Sequence, residues 1–113
     1  MTELFSHQGV ALEQRGNTLW VSGGVDATTA AALAAAGSQW LVSTSIRELR
    51  ISFEGVDKAS SAALSVLLEW LRISRQYSLD VVAVELSAPL RRLANLAELE
   101  TLLAFSAPPS GPG

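Results

Sequence analysis

A chain of 113 residues with a formal net charge of −3 suits one domain, which buries roughly 65% of the surface its unfolded chain exposes, enough for one core without staples. The absence of cysteine excludes disulfides and thiolate chemistry, and a single histidine, His7, leaves no cluster for a metal site or a histidine general base. No basic cluster offsets the negative charge, which argues against nucleic acid as a partner.

The N-terminal stretch MTELFSHQGV lacks a basic segment followed by an apolar core, so it does not read as a secretory signal. No apolar run approaches the ~20 residues needed to span a bilayer. A cytoplasmic location is therefore the expectation. VALEQ and TLWVS are short strand-like runs separated by RGN, a hairpin turn signal. Asp26, Thr28 or Thr29 is placed to cap an alanine-rich helix reaching about Trp40. In IRELRISF the apolar set Ile46, Leu49, Ile51 and Phe53 predicts a strand, and EGVDKA a loop after it. A helix follows from Ser60 or Ser61 to about Tyr77. DVVAVEL is a continuous apolar run, as expected of a strand buried on both faces. Ser87 is placed to cap a further helix with Pro89 in its first turn and Leu90, Leu93, Ala94 and Ala97 on its apolar stripe. ELETLLAF is ambiguous between a short helix and an edge strand. SAPPSGPG has the composition of a disordered tail, giving one domain over 1–105 and a tail over 106–113. No internal repeat is visible. Strands alternating with helices imply an α/β domain built on a mixed sheet.

The helix after Ser60 carries the most information. At 100° per residue, Leu64, Leu67, Leu68 and Leu71 form one stripe, and Ala63, Val66, Trp70, Ile73 and Tyr77 a second. A helix lying on a sheet needs an apolar arc of little more than ~100°, and here the arc exceeds ~200°. The second stripe either packs on the following helix or includes a docking surface centred on Trp70 and Tyr77, since aromatic residues are enriched at interface centres.

A serine at the helix start accepts a hydrogen bond from a free N–H of the first turn, and Ser61 is expected both to cap the helix in this way and to lie at the partner interface, since the same positive helix end tolerates an anion. Phosphorylation there would add about −1.5 to −2 of charge to a docking surface without straining the fold.

The stretch LRISFEGVDKASSAALSVLLEWLRISRQYSLDVVAVELSAPLRRLANLAELETLL resembles the signature half of a STAS domain, the family of anti-sigma factor antagonists. The resemblance covers about residues 8 to 104 and is strongest to the STAS subunits of Mla-type ABC transporters, which move phospholipids between the membranes of Gram-negative bacteria. It implies the STAS fold, a mixed sheet of four to five strands with helices mainly on one face. It also implies a non-catalytic regulatory subunit, without cofactor or metal. Such a subunit binds the transporter's ATPase, in a complex with permease and substrate-binding subunits that maintains outer-membrane lipid asymmetry. It would sit on the cytoplasmic side of the inner membrane through its partner, with no insertion of its own. The family surface is the loop and first turns of the helix holding Ser61. Sigma regulators read roughly Asp-Ser-Ser-Gly at this point and the transporter subunits Asp-Thr-Gly-Gly. Here Ser60 stands at the aspartate, Ser61 at the threonine and Ala62 at the phosphorylated serine.

These readings assemble a partner-binding set of Ser61, Ser60, Asp57, Lys58, Ser65, Trp70 and Tyr77, with Ser61 the candidate phosphoacceptor. An anti-sigma factor antagonist docking on a serine kinase is the alternative, weakened by Ala62. An enzyme or small-ligand carrier built on Asp57, Lys58 and Ser61 is the third class. It has no His or Cys near those residues and no Gly-rich phosphate loop, and a loop Lys–Asp pair is usually solvated. Gly23 and Gly24 read as a turn too short for a nucleotide fingerprint.

Overall fold

A computed structural model describes residues 1–58 and 60–96. Five strands and three helices follow in the order β1 (Thr2–His7), β2 (Val10–Arg15), β3 (Thr18–Gly23), α1 (Ala27–Ser43), β4 (Glu48–Val56), α2 (Ser61–Gln76), β5 (Asp80–Leu86) and α3 (Ala88–Leu96). The strands lie in chain order in one sheet. β1, β2 and β3 pair antiparallel, and β3, β4 and β5 pair parallel. This is the mixed α/β sheet expected, with five strands.

The parallel pairings require crossovers, and α1 and α2 supply them. Crossovers of one hand between strands laid down in one direction put both helices on the same face, and the two helices pack on each other. α3 packs on α2 and β5. Strand alternation fills the space beneath: Val10 and Leu12, Leu19 and Val21, and Leu49, Ile51 and Phe53 are all buried towards the helices. The opposite face carries Glu13, Arg15, Trp20, Arg50 and Glu85. Arg15 pairs with Glu13 at 2.9 Å and lies over the Trp20 ring, 4.4 Å from its centroid, and Arg50 stands 3.6 Å from Glu85. Such exposed pairs contribute about 0–1 kcal/mol each, so the core face dominates stability.

Several expectations change. β1 is a strand with no alternation to announce it: Glu3 faces Glu13 and Phe5 faces Leu12, so Leu4 is the extra residue of a bulge. The turn that follows holds Gln8 and Gly9 at φ 51° and 80°, the positive values that two-residue hairpins favour. β4 begins at Glu48, leaving Ile46 outside, and runs on through Glu54, Gly55 and Val56, which had read as loop. β5 is not buried on both faces. It is an edge strand whose residues Val82 to Glu85 are half-buried, and it too carries a bulge, at Val82. Bulges at both sheet edges blunt further strand pairing. α3 buries Leu90 and Ala94 as predicted, while Ala97, the ELETLLAF segment and the 106–113 tail lie outside the described residues.

Candidate functional site

The C-terminal ends of the three parallel strands share one end of the sheet, and each feeds a helix there. β3 leads through Gly23–Asp26 into α1, β4 through Asp57–Ser60 into α2, and β5 through Ser87 into α3. In open α/β sheets this is the end at which ligands gather.

The loops are tied together by backbone. The Asp57 N–H donates to the Gly23 carbonyl at 3.3 Å. Gly23 has φ of +100°, and a Cβ there would lie 2.0 Å from the Gly9 carbonyl oxygen, so only glycine fits where this loop meets the β1–β2 turn. At Gly24 a Cβ would stand 3.2 and 3.3 Å from Cε and Cδ of Lys58 and 3.5 Å from an Asp57 carboxylate oxygen. The Lys58 stem thus lies on bare glycine backbone, and the two glycines that read as a simple turn form the site's floor.

Each helix starts differently. Asp26 caps α1: one carboxylate oxygen accepts from the Thr28 hydroxyl at 2.6 Å and from the N–H groups of Thr28 and Thr29 at 2.9 and 3.2 Å, while the Asp26 N–H donates to the Thr29 hydroxyl at 3.1 Å. The Thr28 hydroxyl bond above all, with the backbone N–H groups, holds this carboxyl below the ordinary aspartate range, against a smaller opposing effect of burial. At α2 the cap is Ser60, whose hydroxyl oxygen accepts from the Ala62 N–H at 3.1 Å. Ser61 is therefore not the cap. It is the first helical residue, exposed, and its hydroxyl makes no hydrogen bond among the described residues. At α3 the Ser87 carbonyl accepts from the Arg91 N–H at 2.9 Å, but the Ser87 hydroxyl is buried with no hydrogen-bond partner among the described residues and does not cap.

The sequence-derived set separates into three places. Asp57, Lys58, Ser60 and Ser61 cluster at the start of α2, and Ser65, also exposed, follows one turn along the same helix face as Ser61. Trp70 does not belong to a surface. It is fully buried, its ring centroid is 5.7 Å from that of Phe53, and its indole N–H donates to the Ala34 carbonyl of α1 at 3.1 Å. A Cβ on Gly37 would stand 2.2 Å from the indole, so the absent side chain in α1 is what admits the ring. Ala63, Val66 and Ile73 are buried with it, and Trp70 joins this stripe to the preceding helix, not the following one. Tyr77 is 45% exposed, but it is the C-cap of α2. Sixteen helical residues put it about 24 Å from Ser61, so the two do not share one small contact. No group of three His, Cys, Asp or Glu side chains capable of holding a metal ion occurs among the described residues.

Sequence reasoning missed the role of Gly24 and took Ser87, whose hydroxyl is buried, for a cap. Both follow from the topology, since the ends of successive parallel strands must meet, but neither has a local signal.

An antiparallel hairpin sheet continued by two parallel crossovers, with helices on one face and a serine-capped α2 at the strand ends, defines a STAS-type α/β domain. The chain belongs to the STAS family: residues 9–104 match the family described as Mlab, STAS domain, a span that opens at the β1–β2 turn and leaves β1 outside it. Proteins of this family are generally non-enzymatic. No curated protein matches the chain.

Proposed function

We propose that the chain is a non-catalytic STAS subunit that docks on the ATPase of an Mla-type ABC transporter, and through it takes part in phospholipid trafficking and outer-membrane lipid asymmetry. The observation that carries this reading is the division of labour at the start of α2. Ser60 satisfies the helix, which leaves the neighbouring Ser61 hydroxyl unused, exposed and flanked by exposed Asp57, Lys58 and Ser65. A residue that the fold does not need, at the position where the family places its partner surface, is available for a partner. The match to the MlaB-type model supports the transporter over other STAS settings. No helix among the described residues is long and apolar enough to cross a membrane. In this reading contact with the inner membrane belongs to the permease.

A second reading, an anti-sigma factor antagonist, draws on the same hydroxyl, because a helix N-terminus accommodates a phosphate. Ala62, standing where sigma regulators carry their phosphoserine, speaks against it. Affinity purification of the tagged protein in gentle detergent separates the two. Recovery of an ABC ATPase with its permease is the expected result. Recovery of a soluble GHKL-type kinase instead transfers the assignment to the second reading, and recovery of neither overturns both.

A further inference from the structure

We infer that Lys58 is a pre-positioned cationic contact of the partner surface, held in place by Gly24 and matched by a carboxylate on the ATPase. The inference rests on the proposed docking of this surface on an ATPase and adds the chemistry of one contact. Lys58 is the only lysine of the chain. It is exposed, and among the described residues no carboxylate pairs with it, although Asp57 stands over the same glycine. Arg15, Arg50 and Arg72 each have an acidic neighbour, and Arg47 and Arg92, like Lys58, have none among the described residues, but of these three only Lys58 lies against the glycine floor of the site. A lysine stem ordinarily loses much rotamer freedom when its ammonium is fixed. Here Cδ and Cε already lie on the Gly24 backbone, so part of that ordering is complete before a partner arrives. Pre-organisation of this kind strengthens binding without adding a contact. On a protein partner the group that complements an ammonium is a carboxylate.

The position predicts how substitutions couple. Gly24 is not at a positive φ, so larger residues suit its backbone. An alanine there must push the stem aside by a few tenths of an ångström, and a valine further. Lys58→Gln should weaken binding of the purified ATPase about three- to tenfold at low salt and flatten its salt dependence, as loss of a rim charge does. Lys58→Arg should retain most of the affinity. Gly24→Val should weaken binding in the wild-type background and have no effect on top of Lys58→Gln, because the two act through one ammonium. Gly24→Ala, the gentler variant, should fall between Gly24→Val and wild type.

The experiment is a titration of the ATPase against these variants at two ionic strengths, with acetylation of Lys58 by an amine-reactive ester read by mass spectrometry on the free protein and on the complex. The inference predicts protection of Lys58 in the complex and non-additive losses. If wild type binds the ATPase but Lys58→Gln binds equally with an unchanged salt slope, or Gly24→Val weakens Lys58→Gln as much as wild type, the inference is overturned while the docking proposal stands. If wild type does not bind the ATPase, both fall. Binding of wild type to phosphatidylglycerol vesicles that Lys58→Gln abolishes would also overturn it, in favour of a lipid headgroup.

Discussion

The two ends of α2 use their side chains in opposite ways. Towards its C-terminal half, Trp70 gives up all exposure to join α1, α2 and the sheet, with its one polar atom bonded to Ala34 and its ring seated over Gly37. At its start, the Ser60 hydroxyl caps the helix and Ser61 beside it stays exposed. The large aromatic that most resembled a docking anchor is structural, and the small polar residues that resembled mere capping include one with no structural task. Residue type alone is a poor guide to which side chains face a partner. What decides is whether the fold already uses the group.

The largest test of that contrast is Trp70→Ala, which should cost about 3–5 kcal/mol in urea denaturation, a large part of a typical total of about 5–15 kcal/mol. A loss under about 1 kcal/mol would show that Trp70 is not the joint. Gly37→Ala sharpens the point through its sign. Helix propensity alone favours alanine by about 1 kcal/mol, but overpacking against the indole costs about 1–3 kcal/mol, so the wild-type background should be destabilised and the Trp70→Ala background stabilised by the same change. Stabilisation in both backgrounds would mean that the glycine does not serve the ring.

The serines come next in size. Ser60→Ala should lower stability by about 1 kcal/mol as a lost cap, and Ser61→Ala should stay within about 0.5 kcal/mol of wild type, as an exposed substitution does. Reversal of that order in thermal melts would move the cap to Ser61. The smallest effect is at α1. Because the Asp26 carboxyl titrates lower folded than unfolded, its contribution is complete above the ordinary aspartate range and is lost as pH falls through the lowered value. Asp26→Asn keeps a capping oxygen and should melt with a shallower loss on the acid side. Parallel acid profiles for the two proteins would remove Asp26 from the account.

Much of the fold was legible in the residues because local rules suffice for it. RGN marks the β2–β3 turn, Asp26 with Thr29 marks the start of α1, and the leucine stripe marks α2. β1 was not legible, since its bulge sets Leu4 and Phe5 side by side and erases the alternation. The edge position of β5 was hidden because an apolar run reports composition, not how many neighbours cover it. At the site, the loop residues Asp57 to Ser61 could be picked out, but Trp70 was misplaced. The width of an apolar arc says how much of a helix is covered and not by what, and its cover lies in an alanine-rich helix where a missing Cβ leaves no pattern. Gly24 escaped for the same reason.

Whether Ser60 serves the helix and Ser61 a partner is decided by Ser61→Asp, measured at once for melting temperature and for binding of the ATPase proposed as its partner. An acid suits the first turn of a helix, so the variant should melt within a few degrees of wild type and lose the ATPase, while Ser61→Ala keeps more of it. A Ser61→Asp protein that melts normally and retains the ATPase as fully as wild type would contradict the claim.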